Sequence, residues 1–150
     1  MTSDDEPCML CAPEIADREF DRVRLWEDEL WRLSAVLRGP VPGFAHLEPR
    51  RHIPYVTELD GPEATTFGPV LARVTRALRD ASGAQLAYAY VFGDRVAHLH
   101  VNLAPHHPGD ALVGGRGLLA ADAVEAAPEA HVAAAHAARE LLSRPSGAAG

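Results

Sequence analysis

The sequence contains no lysine, few cysteines and no long apolar run, and each absence narrows the class of protein. All 14 basic residues are arginines, and 21 acidic residues outnumber them, which gives a net charge of −7. Such an acidic chain lacks the basic surface that binding to nucleic-acid phosphates requires. No apolar stretch reaches the roughly 18 residues of a membrane-spanning helix. We therefore expect neither a nucleic-acid partner nor a membrane anchor.

The N-terminus, MTSDDEPCML, is acidic and lacks the apolar segment of a secretory signal peptide. We therefore expect a cytoplasmic protein, in which thiols stay reduced. The two cysteines, Cys8 and Cys11, lie three positions apart. This spacing indicates metal ligands or a redox pair rather than a structural disulfide.

The length of 150 residues suits one domain. We predict a single domain over residues 8–144, with a core at 8–107 and a C-terminal extension at 108–144. A disordered N-terminus, 1–7, and a flexible tail, 145–150, are expected to flank it.

Runs of β-type residues, several with alternating apolar and polar side chains, predict five strands. They cover residues 20–28, 30–37, 44–49, 86–92 and 96–104. The turn Gly93-Asp94-Arg95 is expected to join the last two as a hairpin.

Two helices complete the predicted architecture. Asp60 and Pro62 favour the start of a long helix, which Gly83 ends. Pro69 is expected to kink this helix or to confine its regular part to the residues after it. A final helix is expected over about 128–143. This order of elements predicts an α+β domain built on an antiparallel sheet.

The stretch AHLHVNLAPHH, residues 97–107, holds four of the eight histidines. On a strand, His98, His100 and Asn102 share one face, because side chains alternate. A polar outer face would explain one histidine, but two histidines and an amide in register favour a functional site. Imidazole suits nucleophilic or acid–base chemistry near neutral pH, provided that one ring nitrogen keeps its lone pair while an acceptor holds the other N–H.

This stretch resembles the histidine-triad (HIT) motif, in which three histidines alternate with apolar residues. The segment GFAHLEPRRHIPYVTEL, residues 43–59, is similar to that family's strand with a Pro-Lys-x-His-type ending, followed by the loop into its long helix. Residues 93–96 stand where the family has a Gly-Gln-Ser-Val-like turn, and Cys8-Met-Leu-Cys11 resembles the CxxC of zinc-containing members. The resemblance covers roughly residues 8–107.

The resemblance implies a HIT-like α+β fold, with a five-stranded antiparallel sheet, one long helix and a C-terminal helix, in a protein that forms a homodimer. It also implies a nucleotide hydrolase or nucleotidyl transferase. His100 would attack the α-phosphorus of a nucleotide and form a covalent nucleotidyl-histidine intermediate, while His98 and Asn102 shape the site.

Three positions depart from the family pattern. Asn102 replaces the third histidine, and an amide donates to phosphate oxygens but carries no proton to a leaving group. A transferase branch of the family has glutamine there, which is compatible with transfer chemistry. Val36 stands where many hydrolases have a ribose-binding aspartate, and Phe44 replaces a histidine. Phe44, Arg95 and His106 are candidate substrate-binding residues, and the last two could grip an anion or move a proton.

By the same resemblance, Cys8, Cys11, His52 and His98 would bind a structural zinc ion. Four protein ligands close a tetrahedral shell and leave no position for substrate. Two alternatives remain at the level of sequence. The cysteines could be a loose or redox pair, or His52 and His98 could act directly on substrate without a metal.

Two further functional hypotheses compete with nucleotide chemistry. The departures from the pattern could mark a HIT-fold enzyme recruited to a biosynthetic pathway and acting on a small non-nucleotide metabolite. The chain could instead be a non-catalytic dimeric binding protein.

We interpret one more histidine, His46, as a surface or packing residue.

Overall fold

The structure, a computed structural model, describes residues 7–114 and 118–144. The main elements, in chain order, are α1 Pro13–Glu19, β1 Arg22–Glu27, β2 Trp31–Val36, β3 Ala45–Pro49, α2 Gly61–Ser82, β4 Leu86–Tyr90, β5 Val101–His106, β6 Leu112–Gly114, β7 Leu118–Leu119 and α3 Pro128–Leu142. Short 3-10 turns cover Met9–Cys11 and Val56–Glu58.

Five of the strands form one antiparallel sheet in the order β1-β2-β3-β5-β4. The predicted α+β class, the five-stranded sheet, the long helix and the C-terminal helix are confirmed. Helices α2 and α3 pack on one face of the sheet. The residues that form this core include Leu33, Leu47, Val74, Leu78, Val101, Leu103 and Ala138.

Helix α2 begins and ends at the predicted residues, although the Asp60 side chain accepts from Arg51 and makes no capping hydrogen bond. Asp60 stands at its N-cap with Pro62 in the first turn, and Gly83 follows its last turn in the left-handed conformation, at φ +63°. Pro69 lies inside the helix without ending it. Trp31 is fully buried, and its indole N–H donates to the Thr66 hydroxyl over 2.9 Å, which ties the sheet to α2.

The predicted boundaries of the fifth strand are wrong. β5 begins at Val101 rather than Val96, and residues 91–100 form the connection in place of a three-residue turn. The pairing of β3 with β5 stops at Leu47 and Val101, and β3 itself ends at Pro49. Beyond it, the Leu99 amide donates to the Ile53 carbonyl over 2.7 Å. The chain through Leu99 is thus held by the segment that follows β3.

The opposite face of the sheet is polar at one end and apolar at the other. Leu112 of the C-terminal extension packs with Val41 and Ala104 on the apolar end. The predicted disordered segment, 1–7, and the predicted tail, 145–150, lie outside the described residues, apart from Pro7, which is exposed. Within residues 7–114 and 118–144, no helix has the length and apolar character to cross a bilayer.

Candidate functional site

His46, His100 and Asn102 come together on the sheet face that α2 and α3 leave uncovered. His46 and Asn102 are direct partners in the β3–β5 ladder. The His100 ring lies 5.8 Å from the His46 ring, centroid to centroid, at an interplanar angle of 70°. The two strands therefore place two imidazoles and an amide in one cluster.

A backbone carbonyl determines which nitrogen of His100 carries the proton. The Nδ1 atom lies 2.8 Å from the carbonyl oxygen of His98. Because that oxygen can only accept, a neutral His100 donates from Nδ1 and keeps its lone pair on Nε2. The half-buried ring thus has the tautomer that a nucleophile or general base needs.

His46 is held in the opposite tautomer. The Arg22 guanidinium donates to His46 Nδ1 over 3.3 Å. Burial, with additional effects of Arg22 and His100, lowers the pKa of His46 to about 3. His46 is therefore neutral near pH 7, with its proton on Nε2. As expected of a packing residue, the His46 ring packs against Phe44 and His100, and the ladder register places it in the same cluster as His100.

Buried ion pairs hold Arg22 in position. Its two terminal nitrogens donate to the Glu48 carboxylate over 3.1 and 3.3 Å, and Arg32 donates to the same carboxylate over 3.2 Å. Asp17 of α1 accepts from Arg22 over 2.9 Å. The side chains of Arg22 and Glu48 are fully buried. Each buried charge has an opposite partner, as charges removed from water require.

Asn102 is buried and uses part of its hydrogen-bonding capacity within the sheet. Its amide nitrogen donates to the Tyr90 carbonyl over 3.2 Å. One amide hydrogen is thereby committed to β4, while the second remains available as a donor. The side chain has no group that titrates near neutral pH.

A second cluster brings together the four predicted metal ligands. The donor atoms of Cys8, Cys11, His52 and His98 all lie within 4.8 Å of one another. The Nδ1 atom of His98 is 3.4 Å from the Cys8 sulfur and 3.5 Å from the Cys11 sulfur, and Cys11 is 3.3 Å from Nδ1 of His52. Zinc bonds of about 2.3 Å to sulfur and about 2.0 Å to nitrogen place such donors about 3.5 Å apart. The residues therefore fit a tetrahedral ion.

The surroundings orient these ligands. His98 is fully buried, and its Nε2–H donates to the Pro49 carbonyl over 2.9 Å, which leaves Nδ1 facing the two sulfurs. Metal-bound histidines commonly hold their second nitrogen in this way. Burial lowers the pKa of His98. Burial and the neighbouring Cys8 thiol raise the pKa of Cys11 to about 11.

The metal-ligand cluster is linked to the histidine cluster through the ion pairs. Arg32, which binds Glu48, also donates to the Leu10 carbonyl over 2.5 Å, within the Met9–Cys11 turn. A second link runs through the backbone, since the His98 carbonyl holds His100. Hydrogen bonds and ion pairs thus connect the metal-ligand cluster with the rings of His46 and His100.

The structure separates the three predicted substrate-binding residues. Phe44 borders the cluster, with its ring 5.3 Å from that of His46. Arg95 is exposed in the 91–100 connection. His106 ends β5, with Nδ1 2.9 Å from Asp110 and its ring stacked on Tyr88. His106 follows Asn102 by four residues, about 13 Å along a strand. Its ring therefore does not join the cluster of His46, His100 and Asn102.

Three important residues were not found from the sequence: His46 as a site residue, and Arg22 and Glu48 as its support. Alternation along 44–49 places His46 and Glu48 on one face, which is the signal that the sequence contains. The burial of that face was not foreseeable, because it depends on α1 and the N-terminal turn covering it.

An apolar cavity of about 270 Å³ opens beside Phe44. Its walls include Val36, Val41, Tyr90 and Leu112, and its described lining contains no carboxylate. The position at which the family resemblance implies a ribose-binding aspartate is thus an apolar wall of this cavity.

Comparison with known proteins supports the fold assignment. No model of a known protein family matches the sequence, and no curated protein matches it. Among solved structures, a histidine-triad protein from Bradyrhizobium japonicum is similar at a TM-score of 0.69 and 19% identity, covering 85% of this chain and 95% of its own. A zinc-bound histidine-triad family protein from Mycobacterium smegmatis has a TM-score of 0.64 and 22% identity, covering 91% of this chain and 96% of its own.

A hypothetical histidine-triad nucleotide-binding protein from Sulfolobus tokodaii has a TM-score of 0.66 and 21% identity, covering 91% of this chain and 92% of its own. These similarities extend over nearly the whole chain of each protein. The chain has the fold of the histidine-triad proteins.

Proposed function

We propose that this chain is a zinc-containing histidine-triad enzyme, a nucleotide hydrolase or nucleotidyl transferase with His100 as its nucleophile. The observation that carries the proposal is the hydrogen bond from His100 Nδ1 to the His98 carbonyl. It leaves an Nε2 lone pair on a half-buried ring, in the residue that directly precedes β5.

The reaction proceeds in two displacements. The Nε2 lone pair of His100 forms a bond to the α-phosphorus of a nucleotide, and the bond to the leaving group breaks with its electron pair. Water or another hydroxyl then attacks the phosphorus of the nucleotidyl-histidine. The phosphorus–nitrogen bond breaks, His100 recovers its lone pair, and the proton of the attacking hydroxyl passes to solvent.

Asn102 limits the range of leaving groups that the enzyme can release. A histidine at this position could deliver a proton, whereas an amide can only donate a hydrogen bond. We infer that the favoured substrates release a stable anion, as phosphoric anhydrides and acyl phosphates do, rather than an amine that must be protonated.

We propose that Cys8, Cys11, His52 and His98 hold a structural zinc ion. The donor distances and the Pro49 carbonyl behind His98 support this ligand set. When bound, zinc would link the N-terminal turn to residues 98–100, which lead into β5, and four protein ligands would leave it no open position.

We also propose that two copies form a homodimer. β4 is an edge strand of the sheet, and Leu86 on it is an exposed large apolar side chain. Pairing of two such edges would cover them, which edge strands generally require. Sedimentation equilibrium should then give twice the mass of the chain, and a monomer at micromolar concentration would contradict this.

The apolar cavity favours a second candidate function, an enzyme for a small non-nucleotide phosphate or acyl phosphate. Val36 and Phe44 line the cavity without a carboxylate to bind ribose hydroxyls. If this function is correct, any nucleotide activity should not depend on the ribose. Equal kcat/KM for a ribonucleotide and its 2′,3′-dideoxy analogue would favour it, and a strong preference for the ribonucleotide would contradict it.

Turnover of a substrate panel tests the main proposal. We would assay dinucleoside polyphosphates, nucleotide sugars, aminoacyl adenylates and adenosine phosphoramidate with the wild type, His100→Ala and the control His136→Ala. His136 lies on α3 with its side chain 69% exposed. Loss of turnover and of the nucleotidyl adduct, seen by intact mass spectrometry, in His100→Ala alone is expected. No turnover by the folded, metal-loaded wild type would overturn the assignment.

A further inference from the structure

We propose that His46 is a second substrate-contacting residue, whose Nε2–H donates a hydrogen bond to an oxygen of the phosphoryl group that His100 attacks. The inference rests on the proposed function, because the attack by His100 defines where that phosphoryl group lies. It extends the site to a residue outside the histidine stretch of 98–107.

The first argument is the identity of the hydrogen-bond donor to His46. A guanidinium has N–H donors and no acceptor. Arg22 lies 3.3 Å from His46 Nδ1, so this nitrogen must carry a lone pair. The ring is then neutral with its proton on Nε2. Arg22 cannot turn away easily, since Glu48 and Asp17 hold it and its side chain is fully buried.

The second argument is that Nε2 of His46 remains free for a ligand. Among the described residues, no group accepts a hydrogen bond from it, and it is not among the polar atoms that are sealed from solvent without a partner. The residue is half-buried. A buried ring nitrogen without a partner would be costly, whereas one that reaches the surface can bind water or a substrate oxygen.

The third argument is distance. The ring centroids of His46 and His100 are 5.8 Å apart and the rings are inclined at 70°. A nucleophile approaches its target atom to about 3 Å, and a donor lies about 3 Å from the oxygen that it stabilises. Rings at this distance and angle are in edge-to-face contact. The proposed phosphoryl group therefore lies beside the pair of rings, where the Nε2 atoms of both could reach it, and not between them.

The surroundings keep the His46 ring neutral, with its Nε2–H as a donor. Burial and the charge of Arg22 disfavour protonation of His46, and its pKa lies far below neutral. Asn102, opposite His46, offers its second amide hydrogen to the same space. The site thereby combines two fixed donors, which suits charge stabilisation on phosphoryl oxygens and not proton delivery.

The first experiment reads the donor directly and does not need turnover. With [15N]histidine-labelled, metal-loaded protein, long-range 1H–15N spectra report the tautomer of each ring, and His46→Gln assigns the His46 signals. We expect His46 to be protonated on Nε2. Addition of orthovanadate, a tetrahedral phosphate analogue that becomes five-coordinate when a nucleophile binds it, should shift the Nε2–H signal while His136 stays unchanged. A proton on Nδ1, or no shift at saturating vanadate, would overturn the proposal.

The second experiment compares His46→Leu with His46→Gln, whose amide places a donor near the former Nε2 position. Loss of a donor to the transition state typically lowers kcat about 100-fold. We expect such a loss in His46→Leu with little change in KM, and partial recovery in His46→Gln. Unchanged kcat in folded His46→Leu would refute the role of His46.

The two proposals fail in different ways. If the wild type and His100→Ala are equally inactive, the proposed function fails, and the vanadate titration still decides whether His46 binds a phosphoryl-like anion. If His100→Ala abolishes turnover while His46→Leu does not, the function stands and only the inference about His46 falls.

Discussion

His46 and Asn102 face each other across the β3–β5 ladder, and the ring of His46 packs against that of His100. This pairing places a neutral imidazole and an amide beside the proposed nucleophile. Asn102 donates to the Tyr90 carbonyl, His46 accepts from Arg22, and neither side chain exchanges a proton near pH 7. The chemistry of the site follows from this pair as much as from the histidine stretch itself.

Restoring a histidine opposite His46 should broaden the range of leaving groups. In Asn102→His, a titratable ring replaces the amide, and general acid assistance typically contributes about 100-fold or more. We expect the ratio of kcat/KM for adenosine phosphoramidate to that for a dinucleoside polyphosphate to rise by about this factor. A ratio equal to that of the wild type would mean that Asn102 does not limit the leaving group.

Removal of one cysteine should abolish stoichiometric metal binding. Cys8→Ser replaces a thiolate with a poor zinc ligand, because the hydroxyl stays protonated. We expect less than one zinc ion per chain by atomic emission and a lower Tm than the wild type. The wild type should lose the same stability when treated with a chelator, whereas His136→Ala should keep its metal. A full complement of zinc in Cys8→Ser would contradict the ligand set.

The buried carboxylate of Glu48 should matter far more than an exposed one. Glu48→Gln leaves Arg22 and Arg32 without their shared counter-charge, and breaking a buried pair costs about 3–5 kcal/mol. The matched control is Glu27→Gln, whose pair with Arg24 is partly exposed and should contribute less than about 1 kcal/mol. Urea unfolding measures the loss of unfolding free energy in both variants. Similar small losses in the two variants would show that the Glu48 pairs are not stabilising.

His46 should make the native state sensitive to mild acid. In the unfolded chain it takes up a proton near pH 6.5, but in the folded chain only near pH 3. Between these values the unfolded state binds more protons, so stability is present above pH 6.5 and falls as the pH decreases. The loss is at most about 1.4 kcal/mol per pH unit.

Unfolding free energies at pH 7 and pH 5 test this dependence. The wild type should lose more stability over that interval than His46→Gln, which has no titratable ring at this position. His136→Ala should behave as the wild type does. Parallel losses in the wild type and His46→Gln would mean that His46 titrates normally in the folded chain.

Much of the fold followed from local patterns. Alternation indicated all five strands of the sheet, and Asp60 and Gly83 marked the ends of α2 to the residue. The error at β5 arose because the alternation of residues 96–104 begins in a connection that bends at residues 97–98 and bonds to Ile53 through the Leu99 amide. Alternation of side chains does not locate a strand boundary, because the boundary depends on where a partner strand pairs, here at Leu47 and Val101.

The sequence by itself determined the residues of chemical interest that lie close together in the chain. His98, His100 and Asn102 alternate within five positions, and the Cys8–Cys11 spacing indicates two ligands from one turn. These features are local, because they depend only on the geometry of a short backbone segment.

Only the tertiary structure decided which distant side chains join them. Cys8 meets His98 across 90 residues, and Arg22 meets His46 and Glu48 across neighbouring strands. The register of the sheet and the burial of its polar face set the tautomer of His46, lower its pKa and exclude His106 from the cluster. Such effects depend on distances in three dimensions and on desolvation, neither of which the amino-acid sequence contains.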